Sequence, residues 1–242
     1  MHDIKKRLEE IFDFTEYRMN YINWIFCIMC LFLSLVLPSV FAYIIHYVIK
    51  DKMVCSLIGS ILFATLVLLI YFKDIKKEFK IFTKDFNKNI NTVIKYYILG
   101  IVLTYTFSLL LYGILKESSQ NETLVREYLF DRTWLMLISI VIVAPFTEEI
   151  VYRKSVGTVF HNKWVFAIIS AILFGGAHIM TNVFSGTFVL TDLLYILPYG
   201  SYGFAFALMD YDNESTFSSI LMHAIHNSFT AVLLLITYFG GK

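Results

Sequence analysis

The chain has 242 residues, 58% of them hydrophobic and 16% charged, with a formal net charge of +1 and a mean hydropathy of +0.68. Soluble domains carry about 25% charged residues, so this composition excludes an ordinary water-soluble fold. The near-zero charge gives no basis for binding nucleic acid.

The first 20 residues mix Lys5, Lys6 and Arg7 with Leu8, Ile11, Phe12 and Phe14, a pattern suited to a helix lying on an anionic membrane face. No cleavable signal peptide is read there, because the first apolar run is too long for a signal core. Uncharged stretches of roughly 20 residues, the length that crosses hydrocarbon as a helix, predict seven spans: 21–49, 53–72, 93–115, 134–159, 164–184, 188–209 and 215–239. Pro38 marks a kink in the first. Cys27 and Cys30 form a CxxC inside it, without polar neighbours, and read with Cys55 as packing residues; no disulfide framework is implied. Segment 73–91 carries six lysines between Phe79, Phe82 and Phe86 and reads as a second interfacial helix. The expected fold is all-α and polytopic, a single membrane domain over 1–242. Within it 1–133 supplies N-terminal helices of unassigned role, and 134–239 holds a buried polar site.

Lysine and arginine in the connections set orientation. A cytoplasmic N-terminus puts 13 of them inside and 6 outside. The acidic stretch Asp210, Asp212 and Glu214 then falls in an inner connection. Trp24, Trp134 and Trp164 fall near span ends, as interfacial anchors do.

The fourth span contains Glu148 and Glu149, followed by Arg153. A carboxylate deep in a bilayer costs several kcal/mol and marks function by default. Glu149 and Arg153 stand four apart with the acid first, the favoured order for a same-face ion pair. Glu148 lies about 100° around the helix, without that partner, and a lone carboxylate in an apolar site is a stronger base than one in water. His178 follows Gly175, Gly176 and Ala177, small residues that let a neighbouring helix come close. His223 and Asn227 share one face of the last span and could donate to an oxyanion or, with His178, hold a metal. His226 lines the same cleft or faces a neighbour. Tyr152, four residues after Glu148, is placed to bond it, and Asp192 is read as interfacial. At about 1.5 Å per residue, Glu148, His178, Asn227 and His223 lie roughly 17, 21, 18 and 12 Å from the inner ends of their spans. Groups on three helices thus meet at one depth, which argues for one shared site.

The motifs Glu148-Glu149-xxx-Arg153, Phe174-xxx-His178 and His223-xxx-Asn227 resemble, in order and spacing, the signature of the CPBP family, the CAAX-processing and bacteriocin-processing (Abi) intramembrane endopeptidases. The resemblance covers about Trp134 to Thr230. It implies a helical membrane fold with a cavity open to the cytoplasm. In it Glu148 activates water, His178 helps bind that water, Arg153 orients the glutamates, and His223 and Asn227 stabilise the oxyanion. Two chemistries fit: Glu148 as a general base without metal, or a zinc held by Glu148, His178 and His223. The Ile, Lys, Phe, Asn and Tyr content suggests a bacterial plasma-membrane protein. Membrane-associated peptide or protein precursors are the implied substrates. A proton-coupled peptide carrier using the glutamates, or a non-catalytic immunity or scaffold protein of the same fold, are the alternatives.

Overall fold

The computed structural model describes residues 21–240, so the reading made for residues 1–20 lies outside the described residues. Eight helices follow one another: α1 Tyr21–His46, α2 Lys52–Lys84, α3 Phe86–Leu115, α4 Gln120–Asp131, α5 Thr133–Ser155, α6 Lys163–Phe184, α7 Ile196–Asn213 and α8 Phe217–Gly240. The protein is an all-α, multi-pass membrane protein. Among the described residues six helices (α1, α2, α3, α5, α6 and α8) are long and apolar enough to cross a bilayer.

Two predicted elements differ from this. The sixth predicted span, 188–209, is a 3-10 turn, Leu190–Tyr195, leading into α7. That helix is only 18 residues long and ends in Asp210, Asp212 and Asn213. It is packed between α3 and α6 and buries Gly203, Ala205 to Asp210 and Asn213. A helix wrapped in protein need not be apolar enough for lipid. The lysine-rich segment is not a separate in-plane helix either: α2 runs unbroken for 33 residues, about 50 Å at 1.5 Å per residue against roughly 30 Å of hydrocarbon. Its lysine-bearing end therefore projects beyond the apolar layer. Asp85 alone separates α2 from α3. Asn89 makes that tight junction possible by donating to the terminal carbonyls of Ile81 and Phe82 (3.3 and 3.0 Å).

Polar ties hold each end of the bundle. At the lysine-rich end Lys154 of α5 pairs with Glu78 of α2, which also accepts the Thr216 N–H at 2.9 Å. Lys163 pairs with Asp212 at 2.5 Å. Asp210 is no loop acid: it is buried and accepts both the N–H and the hydroxyl of Ser219 (3.0 and 2.6 Å), capping the start of α8. At the other end Arg132 meets Asp51 at 3.3 Å, and Tyr195 donates to the Glu117 carbonyl at 3.0 Å.

In a bilayer, helices associate through close packing at small residues rather than through water exclusion. A Cβ on Gly175 would sit 2.6 Å from the Ile196 carbonyl oxygen, and one on Gly203 2.8 Å from the Ala171 Cα, so α6 and α7 touch backbone to backbone. On the other side Gly59 of α2 approaches the Pro38 carbonyl of α1, where a Cβ would lie at 2.4 Å. Gly176, also expected to admit a neighbour, has open space beside it. Accordingly Gly175→Ala should lower detergent-state stability by about 1–3 kcal/mol through overpacking, whereas Gly176→Ala should leave the melting temperature unchanged; thermal unfolding of the two purified variants reads the difference.

Candidate active site

The fourth span is built irregularly around its acids. Helix α5 is α-helical over Thr133–Leu137 and Ala144–Glu149 and π-helical over Ile138–Val143 and Ile150–Ser155. Such π turns collect at functional sites. In the first π stretch Ala144 donates its N–H to the Ser139 carbonyl, five residues back. The next donor in that register would be residue 145, which is proline and has no N–H. The orphaned Ile140 carbonyl accepts instead from Asn227 Nδ2 at 2.7 Å. Asn227 thus ties α8 to α5 immediately beside the glutamates, with one of its two amide hydrogens already committed.

The two glutamates separate as helix geometry predicts. Glu149 and Arg153 have fully buried side chains, with Arg153 Nε 3.0 Å from Glu149 Oε2. The guanidinium lies over the ring of Phe174 (4.1 Å to the centroid) and near that of Phe206 (5.6 Å), so π faces take the place of water around the cation. The other oxygen, Glu149 Oε1, accepts from His223 Nδ1 at 2.7 Å. That contact orients the imidazole and turns its Nε2 toward Glu148, whose Oε2 is 3.9 Å away. The Glu148 side chain keeps 28% of its surface exposed and accepts no hydrogen bond from the protein among the described residues. Its free space is a cavity.

Two cavities meet at Glu148. The larger, about 580 Å³, is walled by α3, α5, α6, α7 and α8 and contains His178, His223, His226 and Asn227. The smaller, about 310 Å³, lies between α1, α2 and α5 and is rich in hydroxyls: Ser34, Ser60, Ser139, Thr147 and Tyr152. Ala144, Glu148 and His178 border both. His178 donates from Nδ1 to the Phe174 carbonyl at 2.8 Å, which leaves Nε2 as an acceptor. Its ring stacks on Tyr199 (4.3 Å between centroids), whose hydroxyl bonds Ser119 at the start of α4 (2.5 Å).

All six expected site residues therefore come together: Glu148, His178, His223 and Asn227 on the larger cavity, Glu149 and Arg153 behind them. Other expectations shift. Tyr152 meets Ser34 at 3.4 Å rather than Glu148. Asp192 is buried and accepts the Val189 N–H at 3.0 Å, closing a turn. His226 does line the cleft, with its Nδ1 3.1 Å from the Tyr97 hydroxyl. Among the described residues no three His, Cys, Asp or Glu side chains are grouped to hold a metal ion, so Glu148, His178 and His223 do not fit a zinc cage as placed. The aromatic wall was missed: Tyr195, Tyr199, Tyr202 and Phe206 all face the cavity, and their spacing of four, three and four is a helical stripe that could have been read.

Removing one partner of a buried pair strands the other charge, at a cost of about 3–5 kcal/mol. Arg153→Ala should therefore unfold far more easily than wild type. The double variant Glu149→Leu/Arg153→Met should recover much of that loss; unfolding curves of wild type, singles and double form the cycle that checks it.

Residues 122–229 match the family described as "Type II CAAX prenyl endopeptidase Rce1-like". Over 127 residues the chain is 28% identical to the Bacillus subtilis (strain 168) protein described as "Putative membrane peptidase YdiL", which covers 51% of this chain and 46% of that one. The chain thus matches about half the length of this curated relative. No solved structure matches. The matched segment carries all three motifs whose side chains meet at the cavity, and over this segment the chain is similar to that endopeptidase family.

Proposed function

We propose that this protein hydrolyses a peptide bond in a membrane-associated peptide or protein precursor, with Glu148 as general base. The observation that carries the reading is the division of labour between adjacent acids. Glu149 is consumed by Arg153 and His223, while Glu148 faces a cavity beside two imidazoles. The match to an endopeptidase family supports the reaction class, and a Bacillus relative together with the composition supports a bacterial plasma membrane.

In this mechanism water enters at Glu148, next to the hydroxyl-lined cavity. His178 Nε2 accepts a hydrogen bond from one of its O–H groups, and that hydrogen stays on the water oxygen. Glu148 takes the other proton as the water oxygen forms a bond to the scissile carbonyl carbon. The displaced C=O electron pair becomes an oxyanion. It accepts from the second amide hydrogen of Asn227 and from His223 Nε2–H, on the ring that Glu149 holds in place. Collapse of this intermediate breaks the C–N bond, and the proton on Glu148 passes to the departing amine. Arg153 and Glu149 take no part in bond changes; they hold His223. No step runs through zinc, because the ligand set does not fit one.

The test is cleavage of a fluorescently labelled, membrane-anchored precursor peptide by purified protein in liposomes. Glu148→Gln should lower kcat by about 10²–10⁴-fold, the usual contribution of a general base, without moving the melting temperature. His178→Ala should lose most activity as well. Dialysis against a strong chelator should leave wild-type cleavage unchanged. Full activity of Glu148→Gln would refute the assignment, and activity lost on chelation and restored by zinc would replace it with a metal mechanism.

A further inference from the structure

The smaller cavity is shaped by this chain's own N-terminal helices. Its walls come from α1 and α2 as well as α5, and α1 and α2 lie outside residues 122–229, the segment that matches the endopeptidase family. Five hydroxyl-bearing residues line it: Ser34 of α1, Ser60 of α2, and Ser139, Thr147 and Tyr152 of α5. Two have their hydrogens committed to helix carbonyls, Ser34 to Leu31 at 2.8 Å and Thr147 to Val143 at 2.7 Å. Toward the cavity these two are acceptors. Ser60 and Ser139 make no hydrogen bond among the described residues and are free to donate. Glu148 is the only carboxylate in the lining, which contains no lysine or arginine. The wall beside Ser60 is stiff, because the Gly59 and Pro38 backbones leave no room between them for a Cβ. At about 310 Å³ the cavity is at the low end of small-ligand pockets, which span roughly 300–1,000 Å³.

The proposed chemistry gives a bound peptide a direction across the two cavities. His223 and Asn227, the oxyanion donors, border the larger cavity and not the smaller. The carbonyl carbon and the acyl segment that ends in it therefore lie in the larger one. Glu148 returns its proton to the departing nitrogen, so that nitrogen sits at Glu148, where the smaller cavity begins. We infer, on the protease reading, that the side chain of the residue following the scissile bond enters the smaller cavity, and that this pocket selects a short hydroxyl side chain, serine or threonine. A substrate hydroxyl both donates and accepts, which matches the acceptors on Ser34 and Thr147 and the donors on Ser60 and Ser139. An aliphatic side chain would displace water from these hydroxyls without replacing its hydrogen bonds. A carboxylate would meet the like charge of Glu148.

The test presents the full chain, in liposomes, with a library of membrane-anchored peptides randomised next to the anchor. Mass spectrometry reads the residue at each newly exposed amino terminus. Serine and threonine should be enriched there by at least about threefold over their share of the library, within the net worth of one hydrogen bond. In a cleaved peptide with threonine at that position, exchange for valine keeps the shape and removes the hydroxyl. It should lower kcat/KM by about three- to tenfold. That ratio should shrink toward one in Ser60→Ala and in Ser139→Ala, with melting temperatures read alongside to exclude unfolding. Cleavage without enrichment, a threonine-to-valine ratio of one in wild type, or a ratio that neither variant changes would overturn the pocket assignment and leave the cavity to water, while the cleavage itself upholds the protease reading. No cleavage of any library peptide would defeat the protease reading and the pocket with it.

Discussion

The structure turns on one buried ion pair. Glu149 and Arg153 sit one helical turn apart with no exposed side-chain surface, where an unpaired charge would be prohibitive. Each therefore needs every partner it has. Arg153 spreads its charge over Phe174 and Phe206, and Glu149 gives its second oxygen to His223. These contacts draw α6, α7 and α8 around α5, so a charge that must be neutralised also fixes where the His223 imidazole points. Phe174 serves twice, since its carbonyl also receives His178 Nδ1–H.

Backbone irregularity completes the arrangement. The π turns of α5 leave a carbonyl that Pro145 cannot satisfy, and Asn227 satisfies it. A carbonyl without a donor in an apolar medium costs several kcal/mol. The need to pair Ile140 therefore anchors the last helix at the depth of the glutamates. One Asn227 hydrogen is structural, and the other is the one the proposed chemistry uses. Similarly, His178 is held from outside the motifs: Ser119 bonds Tyr199, and Tyr199 stacks on His178.

Much of the site was legible because helix periodicity is a strong constraint. The four-residue step from Glu149 to Arg153 and the 100° turn to Glu148 anticipated that one acid is paired and the other faces elsewhere, and matching depths on three spans anticipated their meeting. The rest was set by tertiary context. Nothing in the lysines of 73–84 distinguishes an in-plane helix from a continuation of α2; the capture of Glu78 by Lys154 and the Thr216 N–H decides it. The segment 188–209 is apolar enough to resemble a span, yet α7 is covered by protein on both sides. Gly175 and Gly176 look alike in sequence, but only one faces a neighbouring backbone. The π turns depend on which carbonyls find side-chain partners, and no local pattern announces them.

The central claim is that neighbouring glutamates have unlike jobs, one holding the fold and the other poised for chemistry. Thermal unfolding of Glu148→Gln and Glu149→Gln, purified side by side in the same detergent, tests it most directly. The account predicts that Glu148→Gln melts with wild type, while Glu149→Gln, with the Arg153 charge left buried and unneutralised, melts far below it. Equal destabilisation by both substitutions, or by neither, would contradict the division.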